Sequence, residues 1–256
     1  MISVDLTSSW DWKTNISIVS IAKTANTNTG TTAPNMIQGG MFAGPPSDSK
    51  VYILGGAKSQ LNTSFANSVP EPSTYSLWSF DADSQAWDQH DVSDGVALRP
   101  SRGAYTEAPD QNLAFYFNGK ASYGSSSLTT NMGSKTAGLK GLIVVNVTDT
   151  EPRARNLSTP FLGSDAAAGG SELVYISQVG TSGILVEMGG TLLSTTAAEQ
   201  NGTMIGLDSV NVLDVSSVYG GDGEWYSQPT SGDIPPPRTD SCTVVAAAPD
   251  NSSYNM

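Results

Sequence analysis

A single histidine, His90, limits the chemistry open to this 256-residue chain. Multi-imidazole metal centres and a triad with a choice of base both need more. His90 falls in Trp87-Asp88-Gln89-His90-Asp91, a strand or turn where a surface place is expected. Other catalytic signatures fail on context. Ser47-Asp48-Ser49-Lys50 fits S-x-x-K by letter, but it follows Pro45-Pro46 in a hairpin rather than opening a helix. Asp81-Ala82-Asp83-Ser84 begins like a calcium loop without its glycine and closing glutamate, which makes it a turn. Asn118-Gly119-Lys120 lacks the upstream glycine of a phosphate loop, and Asn-Gly is a common hairpin turn. No G-x-S-x-G occurs. Glu187 is the oddity, because it lies inside the apolar strand 184–188. Unpaired burial there would be unfavourable, so Glu187 is expected to line a watered channel or to pair with arginine. The lone Cys242 opens the apolar run 242–248 and is expected to be a buried, inert thiol. No metal ion or cofactor is expected.

The elements that would position any such group recur three times. Val51-Tyr52-Ile53-Leu54-Gly55-Gly56 is followed by Tyr75-Ser76-Leu77-Trp78-Ser79-Phe80-Asp81 and then Trp87. A looser copy runs Phe115-Tyr116-Phe117-Asn118-Gly119 and then Gly141-Leu142-Ile143-Val144-Val145-Asn146. The third runs Ile184-Leu185-Val186-Glu187-Met188-Gly189-Gly190, then Asp208 to Asp214, then Trp225. Successive second glycines, Gly56, Gly119 and Gly190, lie 63 and 71 residues apart. A four-stranded propeller blade takes roughly 40 to 50 residues, so the surplus is assigned to loops at 57–73, 122–139 and 191–206. Those stretches are rich in Ser, Thr, Asn and Gly and read as solvated excursions. Strands 51–54 and 142–145 are apolar at every position, as expected where neighbouring sheets cover both faces. The paired glycines allow φ above zero and close approach of another backbone, and the tryptophans suit packing between sheets.

The double glycine with a spaced tyrosine and tryptophan, Gly55-Gly56, Tyr75 and Trp87, resembles the kelch-repeat β-propellers. Gly189-Gly190 and Trp225 match more loosely. Segments 224–238 and 248–255 are similar to a blade junction of secreted or cell-surface kelch proteins of filamentous fungi. The likeness departs in the middle copy, where Asn118-Gly119 replaces the double glycine and no tryptophan follows Asn146. That leaves the packing of this blade open. The resemblance implies an all-β, kelch-type propeller divided at 1–33, 34–97, 98–163, 164–232 and 233–256, with three full blades between partial ones. Since kelch propellers usually close with six or seven blades, the chain reads as a fragment, a four- or five-bladed propeller, or one closed by a second copy. The resemblance also implies that partners dock at one end of the disc. The matching positions follow the segments 99–105 and 237–241, which nominate Arg102, Tyr105 and Arg238, with Glu187, as binding residues. Copper radical oxidases of the same superfamily need two histidines, and this chain has one.

Three functions therefore compete: a non-catalytic module binding a protein or glycan at the fungal cell surface, a sugar-active lyase or isomerase, and a structural wall or membrane component. A formal charge of −12 argues against nucleic acid or anionic lipid as partner, since either needs a basic surface. Six N-x-Ser/Thr sequons, at Asn15, Asn62, Asn146, Asn156, Asn201 and Asn251, point to an extracellular or cell-surface glycoprotein. Residues 1–6 carry no secretory leader pattern, and no apolar run approaches the ~20 residues of a membrane span. Any membrane attachment is thus expected from a segment outside this chain.

Overall fold

A computed structural model describes residues 2–7, 9–11, 13–26, 28–58, 75–96, 98–148, 151–199 and 202–256. Strand β1 (Ile2–Val4) pairs with β2 (Ile18–Ser20). The first complete blade is an antiparallel meander of β3 (Met36–Ala43), β4 (Lys50–Lys58), β5 (Leu77–Asp81) and β6 (Trp87–His90). The second contains β7 (Ala104–Ala108) and β8 (Leu113–Phe117). A short pair, β9 (Lys120–Ala121) and β10 (Ala137–Gly138), precedes its last strands, β11 (Leu142–Asn146) and β12 (Arg153–Leu157). The third opens with β13 (Ala166–Gly169) and continues through β14 (Glu172–Ile176), β15 (Ile184–Met188), β16 (Thr191–Ser194), β17 (Ser209–Asp214) and β18 (Glu224–Pro229). There β13 pairs with β16, and β14-β15-β17-β18 form the sheet. Strands β19 (Ala246–Ala247) and β20 (Tyr254–Asn255) pair at the end. The first strands of consecutive blades, β3, β7 and β14, pack side by side on the inner edge of this kelch-type fan.

Alternation along each strand sends side chains to both sheet faces, and both faces are apolar because each meets a neighbour. Between the first and second blades lie Tyr52, Leu54, Leu77, Tyr116, Ile143 and Val145. Between the second and third lie Phe115, Phe117, Leu142, Val144, Leu185 and Leu213. Trp225 stacks obliquely on Phe117 and Phe161, at 5.7 and 4.9 Å between ring centroids, so it joins two sheets. Trp87 packs on Phe80 of its own blade at 5.1 Å and on the preceding segment through Ala33 and Ile21. In the second blade Ala154 stands where the tryptophans stand, opposite Val145 as Trp87 is opposite Phe80 and Trp225 opposite Leu213. Its small side chain lets Gly95 of the first blade approach so closely that a Cβ there would lie 2.3 Å from the Ala154 carbonyl oxygen. The middle blade is therefore fully packed despite its missing tryptophan.

The repeated acid or amide at the end of the third strand closes a turn. Asp81 Oδ1 accepts from the amides of Asp83 and Ser84, Asn146 Oδ1 from Thr148, and Asp214 Oδ1 from Ser216, all at 2.8 to 3.0 Å.

The structure corrects three local expectations. In the first blade the strand does not end at the glycine pair, because β4 runs through Gly55-Gly56 to Lys58, still paired with β3, whereas β8 and β15 end directly before Asn118-Gly119 and Gly189-Gly190. Asn118-Gly119 is likewise no hairpin turn, since the chain continues into β9. The stretches 122–139 and 191–206 are not plain solvated excursions. They contain β10, β16, a 3-10 helix Ser127–Met132 and the bridge between Thr136 and Ala198, because the first hairpin of each blade extends beyond the glycines into a second, upper layer. Residues 59–73 of the remaining stretch, 57–73, lie outside the described residues.

The glycine pair is required at this crossing. Gly55 and Gly56 have φ of +70° and +82°, and the equivalents are Asn118 and Gly119 at +50° and +96° and Gly189 and Gly190 at +65° and +92°. The second residue of each pair donates its amide to the entry segment of the next blade: Gly56 to Pro100 O at 2.7 Å, Gly119 to Ala168 O at 2.9 Å and Gly190 to Arg238 O at 2.8 Å. Asparagine tolerates the left-handed position in the middle blade. Its Oδ1 also accepts from Gly141 N and Thr159 Oγ1.

A Cβ on Gly55 would stand 2.3 Å from the Pro100 carbonyl oxygen. Gly55→Ala is therefore expected to destabilise the fold by about 3 kcal/mol or more, from left-handed strain plus the forced separation of two blades. Gly220→Ala, where nothing lies within 4 Å of the added carbon, should change stability by less than about 1 kcal/mol. Chemical denaturation of the two variants beside the parent chain checks the difference, and equal losses would refute the close-approach explanation.

Candidate functional site

Two residues after each of those acceptor carbonyls, or at the matching place in β3, the chain turns left-handed: Gln38 (φ +60°), Arg102 (+57°), Gly170 (+64°) and Asp240 (+55°). Each amide in this series donates to the carbonyl of its predecessor one blade earlier, Arg102 N to Gln38 O at 2.9 Å, Gly170 N to Arg102 O at 2.7 Å and Asp240 N to Gly170 O at 2.8 Å. Tyr116 reinforces the first step, because its hydroxyl donates to Gln38 O and accepts from Gly103 N. These bonds hold the entries of three inner strands, β3, β7 and β14, and the segment that follows Asp240 around one opening.

The opening is a cavity of about 430 Å³, whose walls include Gln38, Arg102, Tyr105, Glu172, Asp240 and Thr243. Arg102 and Asp240 face each other across it in a two-pronged ion pair, Nε to Oδ1 at 2.9 Å and Nη2 to Oδ2 at 2.5 Å. Each holds the other in its charged form: the carboxylate raises the guanidinium above its ordinary range, and the guanidinium lowers the carboxyl. The pair spans the third blade because Gly170 has no side chain. A Cβ there would lie 2.6 Å from both Asp240 Oδ1 and Thr239 Oγ1. Glu172, raised chiefly by burial, has Ser241 and Thr243 within hydrogen-bonding reach. Half-exposed Tyr105 completes a wall of mixed donors, acceptors and one aromatic ring.

The sequence candidates divide sharply in position. Arg102 and Tyr105 meet at this mouth. Arg238 is exposed, lies outside the cavity wall, and takes part through its backbone carbonyl. Glu187 neither lines the channel nor meets an arginine. It is 2% exposed between the second and third blades, at the register position of Tyr116, and Asn211 Nδ2 donates to its Oε2 at 2.8 Å. Cys242 is exposed rather than buried, because the segment after Asp240 bears on the cavity instead of a closed sheet. His90 is buried rather than on the surface, with Nε2 2.8 Å from Ser79 Oγ and its ring against Tyr52. Gln38, Gly170 and Asp240 escaped the sequence reading. Their spacings of 64, 68 and 70 residues (38 to 102, to 170, to 240) track the glycine repeat and could have located them. Of the sequons, Asn15, Asn146, Asn156 and Asn251 are exposed, while Asn62 and Asn201 lie outside the described residues. Among the described residues no helix is long and apolar enough to cross a membrane.

Burial pushes the Glu187 carboxyl up to about 7, opposed by the Asn211 amide and by Ser171. Ser171 is close enough to favour the charged form, yet neither its Oγ nor Glu187 Oε1 has a hydrogen bond of good geometry among the described residues. The protonated form thus suits the folded state. Because the folded pKa lies above the unfolded value of about 4.3, this contribution is complete below that value and is lost as pH rises through about 7. The melting temperature is expected to fall between pH 5 and pH 8. Glu187→Gln should flatten that slope and stabilise the chain at pH 8 by up to about 3 kcal/mol. Thermal melts across this range decide it, and an unchanged slope in the variant would remove Glu187 as the cause.

No family model matches the chain. It is 27% identical over its whole length to a kelch repeat-containing protein of Arthroderma benhamiae, of which it spans 38%. Its fold is similar to that of YjhT, a kelch-type propeller, with a TM-score of 0.52 and 11% identity over 92% of this chain and 60% of that one. The chain therefore spans less than two thirds of either protein. Meanders of four strands and glycine-mediated contacts between them give this chain a kelch-type β-propeller fold, and along its entire sequence it is similar to a kelch repeat-containing protein.

Proposed function

We propose that the chain is a non-catalytic binding or scaffold module that recognises a protein or glycan at an extracellular or cell-surface location in a fungus. The cavity at the mouth of the inner strands carries this reading, since its polar groups are held by backbone bonds from four successive blade entries. Pre-set geometry of this kind lowers the ordering cost of binding. The fungal, surface-exposed setting is supported by the Arthroderma benhamiae relative and by the exposed sequons. A catalytic role finds less support. Arg102 is already satisfied by Asp240, and the one histidine is buried against Ser79 and Tyr52 in the first blade.

Binding of the purified chain to fractionated fungal wall glycans and to surface proteins tests the proposal. Tyr105→Ala combined with Asp240→Ala is expected to weaken the strongest interaction at least about tenfold, the scale of one or two well-placed contacts. Arg238→Ala, outside the cavity wall, should stay within about twofold of the parent. Full binding by the double variant, or loss through Arg238→Ala alone, would move the site elsewhere.

A further inference from the structure

Four equivalent blade entries adopt the same left-handed backbone, yet only one, Gly170, is glycine. Glycine satisfies the inter-blade hydrogen bonds at that entry as well as any residue does, with bonds of 2.7 and 2.8 Å on its two sides. Gln38, Arg102 and Asp240 hold the same conformation at the expense of backbone strain. All three line the cavity. Their side chains are therefore kept for what they present to the opening, not for the backbone they occupy.

The charges they present are balanced. Arg102 is engaged by Asp240 in both prongs. Glu172 adds a second carboxyl to the wall, and Lys120, just behind it, lies within electrostatic range of both members of the ion pair. Two cations thus stand against two carboxyl groups, and the whole chain carries −12. An anionic ligand would have to break the Arg102–Asp240 pair and approach an acidic protein. A cationic ligand would have to approach Arg102, which already neutralises Asp240, with Lys120 in electrostatic range of the same pair. A neutral ligand rich in hydroxyls can donate to Asp240 and Glu172 and accept from the Gln38 amide without separating any pair. The cavity volume suits one or two sugar rings, and the exposed Tyr105 ring offers a flat apolar wall to their C–H faces. We infer that the mouth of this propeller is a subsite for a neutral saccharide, with Gln38, Arg102 and Asp240 as its specificity-determining residues. This rests on the cavity being the binding site.

Titration calorimetry with the whole chain separates the possibilities, using cellobiose, laminaribiose and N,N′-diacetylchitobiose against digalacturonic acid and a sulfated disaccharide. A neutral disaccharide should bind at least tenfold tighter than either acidic one. Gln38→Gly should weaken that binding at least fivefold while the melting temperature stays equal or rises, because glycine relieves the strain at that entry. Tighter binding of an acidic sugar, or unchanged binding by Gln38→Gly, would overturn the inference. If no saccharide binds but a surface protein does, in a manner sensitive to Tyr105→Ala with Asp240→Ala, the saccharide assignment fails and the cavity remains the docking site.

Discussion

The fold depends on a pair of backbone hydrogen bonds repeated at each step between blades. One runs from the second residue of the glycine pair to the carbonyl two residues before the next left-handed entry, as from Gly119 to Ala168. The other runs between successive entries, as from Gly170 to Arg102. A buried amide without a partner loses more than a paired one gains, so each blade must seat its entry against the glycine turn of its neighbour. The steric condition is stricter still. Carbonyl oxygens of the neighbour crowd the space where side chains on Gly55 or Gly189 would begin. Apolar packing then fills the wedge, with Leu54, Tyr116 and Ile143 on one side of the second blade and Phe117, Leu142 and Leu213 on the other.

From this constraint the site follows without further design. The bonds that space the blades also pin the first residues of the inner strands, so Gln38, Arg102 and Asp240 are displayed from main chain that is already immobilised. Gly170 shows how closely the two tasks are joined. It supplies one rung of the ladder and, by lacking a side chain, clears the path along which Arg102 reaches Asp240.

Much of the architecture was legible in the sequence because its causes are local. An unbroken apolar run such as residues 142–145 announces a strand covered on both faces, and the repeated turn residue at the end of each third strand closes its own turn. The glycine pairs were legible as points of close approach and, for β8 and β15, as strand ends; in the first blade β4 runs past its pair because Met36, 22 residues earlier, pairs with Lys58. Ala154 could not be read as the stand-in for a tryptophan. Its meaning comes from Gly95 in another blade, which approaches the Ala154 backbone so closely that a Cβ on it would clash. The site was half legible: Arg102 and Tyr105 stand near a recognisable segment, while Gln38 and Asp240 gain significance only from spacing and a shared sign of φ.

Glu187 and Tyr116 show why equal register does not mean equal role. Both occupy the position opposite the first strand just below the glycine turn, facing the preceding blade. Tyrosine is long enough for its hydroxyl to bond Gln38 O and Gly103 N, so it ties two inner strands together at the rim. Glutamate stops short. Its carboxyl is left buried beside Ser171, with Asn211 as its hydrogen-bonding partner, and burial then favours the neutral acid. The second blade is thus tied to the first by a bond indifferent to pH over the physiological range, whereas the third meets the second across a group whose ionisation opposes packing. That group, Glu187, lies beside Ser171, which is on the wall of the cavity itself.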